Sequence, residues 1–129
     1  MTLTAVTPNS EQKKRQLLSE LSMHIGSLER VRHWTKRFIY TPGVAHLAQA
    51  AGAYWLLDAI ASLCRNPNLR DAAFQVWTLT VNSSRSAVLT VTDGDEIELL
   101  RHAILYTDFP LDQFTLYLID GTLLLPSEY

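Results

Sequence analysis

The stretch Gly43–Asp58, GVAHLAQAAGAYWLLD, decides the fold. Read as one helix running to about Cys64, it is apolar nearly all round, and a helix without a solvated face belongs inside a fold rather than on its surface. At about 100° per residue, Val44, Leu47, Ala51, Tyr54, Trp55 and Asp58 share one half of this helix, and Leu56, Ile60 and Leu63 share the other. Asp58 is therefore expected on a buried face. A buried carboxylate is costly unless it is paired, so Asp58 calls for a partner: a backbone amide, a Tyr, a His or an Arg. The run Ala48, Ala50, Ala51, Gly52 and Ala53 keeps the first half of the helix thin, which lets a neighbouring element approach closely.

Punctuation brackets this helix. Pro42 suits a first helical turn with Thr41 as its cap, and Asn66-Pro67-Asn68 stops the chain after Cys64. Upstream, residues 1–9 read as a loose tail, and Ser10 as the N-cap of a helix through about Met23, followed by Gly26 as its end or bend. Leu17, Leu18, Leu21, Ile25 and Leu28 form one apolar stripe, with Lys13, Lys14, Arg15 and Glu20 as a solvated face. Phe38-Ile39-Tyr40 reads as a short extended piece.

From Phe74 onward the period changes to two. Phe74–Val81 places Trp77, Leu79 and Val81 on one face, and Ala87–Thr92 places Ala87, Leu89 and Val91 together. Asn82–Arg85 is a turn, and the Asp-Gly pairs at Asp93-Gly94 and Asp120-Gly121 favour tight hairpins. Residues 97–106 fit strand or helix; the flanking hairpin signals favour strand. Phe114–Ile119 and Thr122–Leu125 complete the set. The expected fold is α+β, in one domain over 1–129: an N-terminal helix and a long buried central helix packed on a C-terminal antiparallel sheet of four to five strands.

Composition narrows the function classes. The chain has 129 residues, 47% hydrophobic and 19% charged, with net charge −2. That is globular rather than disordered and offers no overall basic excess for nucleic acid. No apolar run approaches the ~18 residues of a membrane span. No basic start followed by an apolar core marks a secretory signal. The lone Cys64 forms no internal disulfide and suits a cytoplasmic location; it reads as a small buried hydrophobe at the helix end rather than a reactive thiol.

Motif chemistry is sparse. His24, His33, His46 and His102 have no metal-ligand spacing, the glycines have no phosphate-cradling spacing, and no nucleophile elbow occurs. No cofactor, metal or catalytic set is therefore expected, and the chain reads as a non-catalytic interaction protein with an unknown protein partner. A candidate polar site remains in Asp58 with His33, Tyr40, Tyr54 and Asp108, which would serve a small-molecule binder or an enzyme pocket near the start of the central helix. The one basic and aromatic cluster, Arg30, Arg32, His33, Trp34, Lys36, Arg37 and Tyr40, admits a nucleic-acid contact. The acidic remainder of the chain argues against it, and Trp34 and Phe38 pointing inward is the structural alternative. Tyr106–Pro110 reads as a loop. The leucine-rich end, Leu123–Leu125, either packs into the fold or forms an edge strand open to a homodimer.

Several of these stretches form a recognisable set: His33-Trp34; Tyr40-Thr41-x-Gly43-Val44; Gly52-Ala53-Tyr54-Trp55-Leu56-Leu57-Asp58; Tyr106-Thr107-Asp108-Phe109-Pro110; and Leu124-Leu125-Pro126-Ser127-Glu128-Tyr129. Together they resemble a family of small bacterial proteins of unknown function, associated with cyanobacteria and with plasmid- or phage-borne genes. The resemblance spans roughly residues 30–129. It implies a free-standing single-domain bacterial protein and no particular activity.

Overall fold

A computed structural model describes residues 2–22, 30–35, 37–69 and 71–129, with side chains from residue 11. Met23, His24, Ile25, Gly26, Leu28 and Lys36 lie outside the described residues. The fold is α+β, with three α-helices and a seven-stranded mixed sheet among the described residues. The helices are α1 (Thr2–Ser22), α2 (Pro42–Ala50) and α3 (Tyr54–Leu63). The strands are β1 (Val31–Arg32), β2 (Ile39–Tyr40), β3 (Phe74–Val81), β4 (Ala87–Thr92), β5 (Glu98–Ile104), β6 (Gln113–Ile119) and β7 (Thr122–Leu124).

The expected long central helix is two helices. Ala51 closes α2, and Gly52 follows at φ +61°. The Gly52 amide donates to Gln49 O and the Ala53 amide to Ala48 O, which is the paired bonding of a Schellman stop. Left-handed backbone there suits glycine, which has no Cβ to clash. The break resets the helical phase, so the projection that grouped Asp58 with Val44 and Leu47 fails. On α3 the buried residues are Leu56, Leu57, Ile60 and Ala61. Tyr54 and Asp58, one turn apart, lie on its outer side, and Asp58 is 51% exposed rather than buried. Trp55 is half-buried against the core. The start of α2 matches expectation: Thr41 Oγ1 accepts from Val44 N at 3.2 Å and Pro42 opens the helix.

Residues 2–9, expected as a tail, are helical, and Ser10 is interior to α1 rather than its cap. Leu17 and Leu21 are buried, but Leu18 is exposed and Glu20 is half-buried. Glu20 is not part of a plain solvated face, because its Oε1 lies 2.7 Å from His46 Nε2 on α2.

The sheet order is β1-β2-β7-β6-β3-β4-β5. Residues 98–104 are strand, as the flanking turns suggested. The arrangement is not a simple meander: β6 pairs with β3, so it crosses to the side of β3 opposite β4 and β5. β7 is flanked by β6 and, in parallel, by β2. The leucine-rich end is therefore interior to the sheet and forms no open edge. The edges are β1 and β5.

Alternation sets the core. Trp77, Leu79, Val81, Ala87, Leu89, Val91, Leu116 and Leu118 face the helices and join Val44, Leu47, Leu56, Leu57 and Ile60 in one cluster. Gln75 is buried among them, with Nε2 donating to Leu69 O and Ala72 O at 3.1 Å and Oε1 accepting from Trp77 Nε1 at 2.9 Å. The opposite face carries Phe74, Val76, Thr78, Thr90, Thr115 and Tyr117, and Tyr129 sits edge-on to Phe74 and Tyr117 there.

Turn chemistry differs at the two Asp-Gly pairs. Asp120 (φ +48°) and Gly121 (φ +80°) make the expected two-residue hairpin turn between β6 and β7. At Asp93-Gly94 the loop is longer: Asp93 Oδ1 accepts from the amides of Asp95 (2.8 Å) and Ile97 (3.0 Å), and Glu96 rather than Gly94 takes the left-handed position.

Candidate functional site

The β1–β2 hairpin and α3 meet at Asp58. His33, in the hairpin, is 4% exposed and stacks on buried Phe38, ring centroids 4.8 Å apart. Its Nδ1 lies 3.2 Å from the Thr35 amide and 2.8 Å from Thr35 Oγ1. An amide hydrogen aimed at Nδ1 makes that nitrogen the acceptor and, by this network, places the imidazole proton on Nε2. Nε2 then donates to Asp58 Oδ1 at 2.9 Å. The Trp34 indole Nε1 donates to the same oxygen at 2.8 Å. Oδ1 thus accepts two hydrogen bonds from the hairpin, on a half-exposed side chain.

Around this pin lie Trp34 (76% exposed), Tyr54 (52% exposed) and the half-buried Tyr40. Burial holds the Tyr40 phenol above its usual range, and the neighbouring Tyr54 and Asp58 add to the shift. The structure therefore brings together four of the five expected polar-site residues: Asp58, His33, Tyr40 and Tyr54. Asp108 is elsewhere, lining a cavity of about 320 Å³ with Lys13, Gln16, Leu17 and Glu20 of α1. Its loop is held by Arg85, whose Nε and Nη2 donate to Thr107 O (3.1 Å) and Phe109 O (2.6 Å).

Carboxylate, imidazole and hydroxyl stand in the order of an acyl-transfer triad in Asp58, His33 and Thr35. The surroundings differ. The imidazole is buried, the hydroxyl also accepts from the Arg37 amide at 3.4 Å, and the carboxylate oxygen is shared with an indole. Such an arrangement fastens a hairpin to a helix. Among the described residues, no group of three or more His, Cys, Asp and Glu side chains is placed to hold a metal ion.

The basic and aromatic segment divides. Phe38 points inward as its structural reading required, and Trp34 does not. Arg30 and Arg32 are exposed, and Arg37 Nη1 donates to Ala61 O at 2.7 Å, closing the last turn of α3. The site residues that sequence reasoning missed are Thr35, and Trp34 in its role as a donor to Asp58.

A second junction joins the chain's end to α2. Glu128 Oε1 accepts from Thr41 Oγ1 and from Leu125 N at 2.9 Å, bringing a carboxylate to the N-terminus of α2, where the helix dipole favours it. The two junctions unite stretches that looked separate in sequence: His33-Trp34 with Asp58, and Thr41-x-Gly43 with Leu125–Glu128.

The chain belongs to a family of unknown function, DUF6876. The family model matches residues 15–129, beginning upstream of the segment from residue 30 that carries the resemblance. Neither the curated proteins nor the solved structures compared with it match the chain. Both junctions lie within the span matched by the family. No described helix is long and apolar enough to cross a membrane.

Proposed function

We propose that this member of the family is a non-catalytic binding protein that docks a protein partner on the patch formed by Trp34, Tyr54 and Asp58. One observation carries the reading: an indole 76% exposed to solvent is nonetheless fixed in orientation by its bond to Asp58, which a buried histidine holds in turn. Trp and Tyr dominate interface energetics because they bring large contact area with few rotatable bonds. Pre-ordering such a side chain lowers the entropy cost of association. Val31 on the adjoining edge strand is also exposed and extends the apolar surface. The lone Cys64, which has no second cysteine for an internal disulfide, supports a reducing compartment such as the cytoplasm for this activity.

The test is an affinity capture from native lysate with the wild-type chain and the Trp34→Ala variant, after confirming that the variant melts cooperatively. A stoichiometric protein recovered by wild type and lost by the variant supports the reading. Equal recovery by both, or recovery of no protein, overturns it. Nucleic acid in the eluate that disappears with added salt would instead favour the arginine-rich hairpin as a phosphate-binding element.

A further inference from the structure

Away from the Asp58 patch, a cavity of about 470 Å³ opens where the C-terminal end of α3 meets the β6–β7 turn. Its polar lining is Arg37, Cys64, Arg65, Gln75 and Asp120, with Leu69 and Leu118 among the apolar walls. We propose that this cavity binds a small oxyanion, a carboxylate or phosphate group, between the guanidinium groups of Arg37 and Arg65.

The volume lies within the roughly 300–1,000 Å³ of small-molecule sites. Arg37 is pre-set for the task. Its Nη1 donates to Ala61 O at 2.7 Å, which fixes one end of the guanidinium group, while the side chain lines the cavity and has further N–H groups to offer a ligand. Arg65 is exposed at the mouth. Planar guanidinium groups match the two oxygens of a carboxylate or phosphate, which is why Arg recurs in such sites. Cys64 reports the local field: burial pushes its thiol up, while Arg37 and Arg65 both act to pull it down. Two cations are therefore within electrostatic reach of one side chain inside the cavity. Gln75 is already committed, its amide nitrogen to two carbonyls and its oxygen to Trp77. Asp120 supplies a carboxylate, the one among the described lining residues, and disfavours ligands of high negative charge.

Cys64 also provides the readout, because its half-buried thiol shares the cavity. The rate of Cys64 alkylation is measured in the full chain at mildly alkaline pH, with inorganic phosphate or acetate titrated against chloride at constant ionic strength. Amide shifts of Ala73 and Gly121 are followed in parallel by NMR. Binding predicts a saturable, several-fold slowing of alkylation with matching amide shifts, both abolished in Arg65→Gln. Arg65 is exposed and, among the described residues, no side-chain hydrogen bond ties it to the fold, so this variant should fold as wild type. Slowing by phosphate alone would identify a phosphate site, and slowing by acetate alone a carboxylate site; either supports the proposal. No saturable change with either anion, or an equal change in Arg65→Gln, would overturn it.

Discussion

Replacing Gly43 with alanine tests how the end of the chain is held against α2. A Cβ at position 43 would lie 2.7 Å from Leu125 Cδ1, 2.8 Å from Glu128 Oε2 and 2.9 Å from Glu128 Cδ. Leu125 is buried and cannot swing aside. Glu128 is held by Thr41 Oγ1 and the Leu125 amide, and its Oε2 is buried with no hydrogen-bond partner among the described residues. Relief requires the Leu125–Glu128 segment to shift, at about 1–3 kcal/mol for overpacking. Weakening the charged hydrogen bonds of Oε1 adds about 1 kcal/mol more. Alanine recovers at most ~1 kcal/mol of helix propensity, and less at a first-turn position. The net expectation is about 1–3 kcal/mol of destabilisation, or roughly 4–12 °C in Tm for a chain of this size. Thermal and urea unfolding of Gly43→Ala, Glu128→Ala and the double variant would measure it. Glu128→Ala removes one of the two obstacles, so Gly43→Ala should cost less in that background by at least ~0.5 kcal/mol. A Gly43→Ala chain as stable as wild type, or strictly additive effects, would refute the packing argument.

Two further outcomes follow from the polar contacts. Asp58→Ala leaves the buried His33 Nε2–H without its acceptor and should cost about 1–3 kcal/mol in urea unfolding, whereas Asp58→Asn keeps an oxygen at that point and should cost less; equal losses would argue that the carboxylate does not fasten the hairpin. Hydrogen bonds from His46, foremost, and from Gln16 hold the Glu20 carboxyl below its usual range. A lowered folded-state pKa gives stability that is present above the unfolded value and lost as pH falls through the folded one. Glu20→Gln should therefore flatten the acid limb of the stability curve below the normal carboxylate range while leaving its neutral region nearly level, and an unchanged acid limb would count against the α1–α2 clamp.

The parts of this fold legible in sequence are those written locally. Alternation from Phe74 to Val81 and from Ala87 to Thr92 gave strand bounds and the buried face, because a period of two is imposed by the pleat itself. Thr41-Pro42 was readable as a helix start for a similarly local reason. Gly52 was also locally written but read wrongly: within a run of alanines it looked like a thin place in one helix, when it is the left-handed stop of α2. That stop turns Asp58 from the core face expected of one continuous helix to the surface, since a helical projection holds only within one helix. Strand order was not legible. Nothing in the alternation of Gln113–Ile119 distinguishes pairing with β5, its neighbour in sequence, from pairing with β3. The partner of Asp58 was legible by type, His among those named, but not the indole that shares its oxygen.

Long-range pins explain most of the polar residues that stand out in the sequence. His33 and Asp58 are 25 positions apart, Thr41 and Glu128 are 87, and Arg85 reaches the Thr107–Phe109 loop across 22 and 24. Each pair fastens one element to another, so folding alone accounts for the presence of both members. The same reasoning separates what folding does not account for. Fastening Asp58 requires only the buried His33, which is held in place by Phe38 and Thr35. The indole of Trp34 adds one donor and leaves most of its apolar surface in water, and Tyr54 presents its ring one turn from Asp58 on the same exposed side of α3. Large, ordered aromatic surface that contributes little to the core is surface available to a partner. Phenylalanine at position 34 would retain much of that area and lose the pin. If Trp34→Phe keeps partner capture, contact area decides recognition at this patch; if it abolishes capture while the fold persists, the orientation imposed by Asp58 decides it.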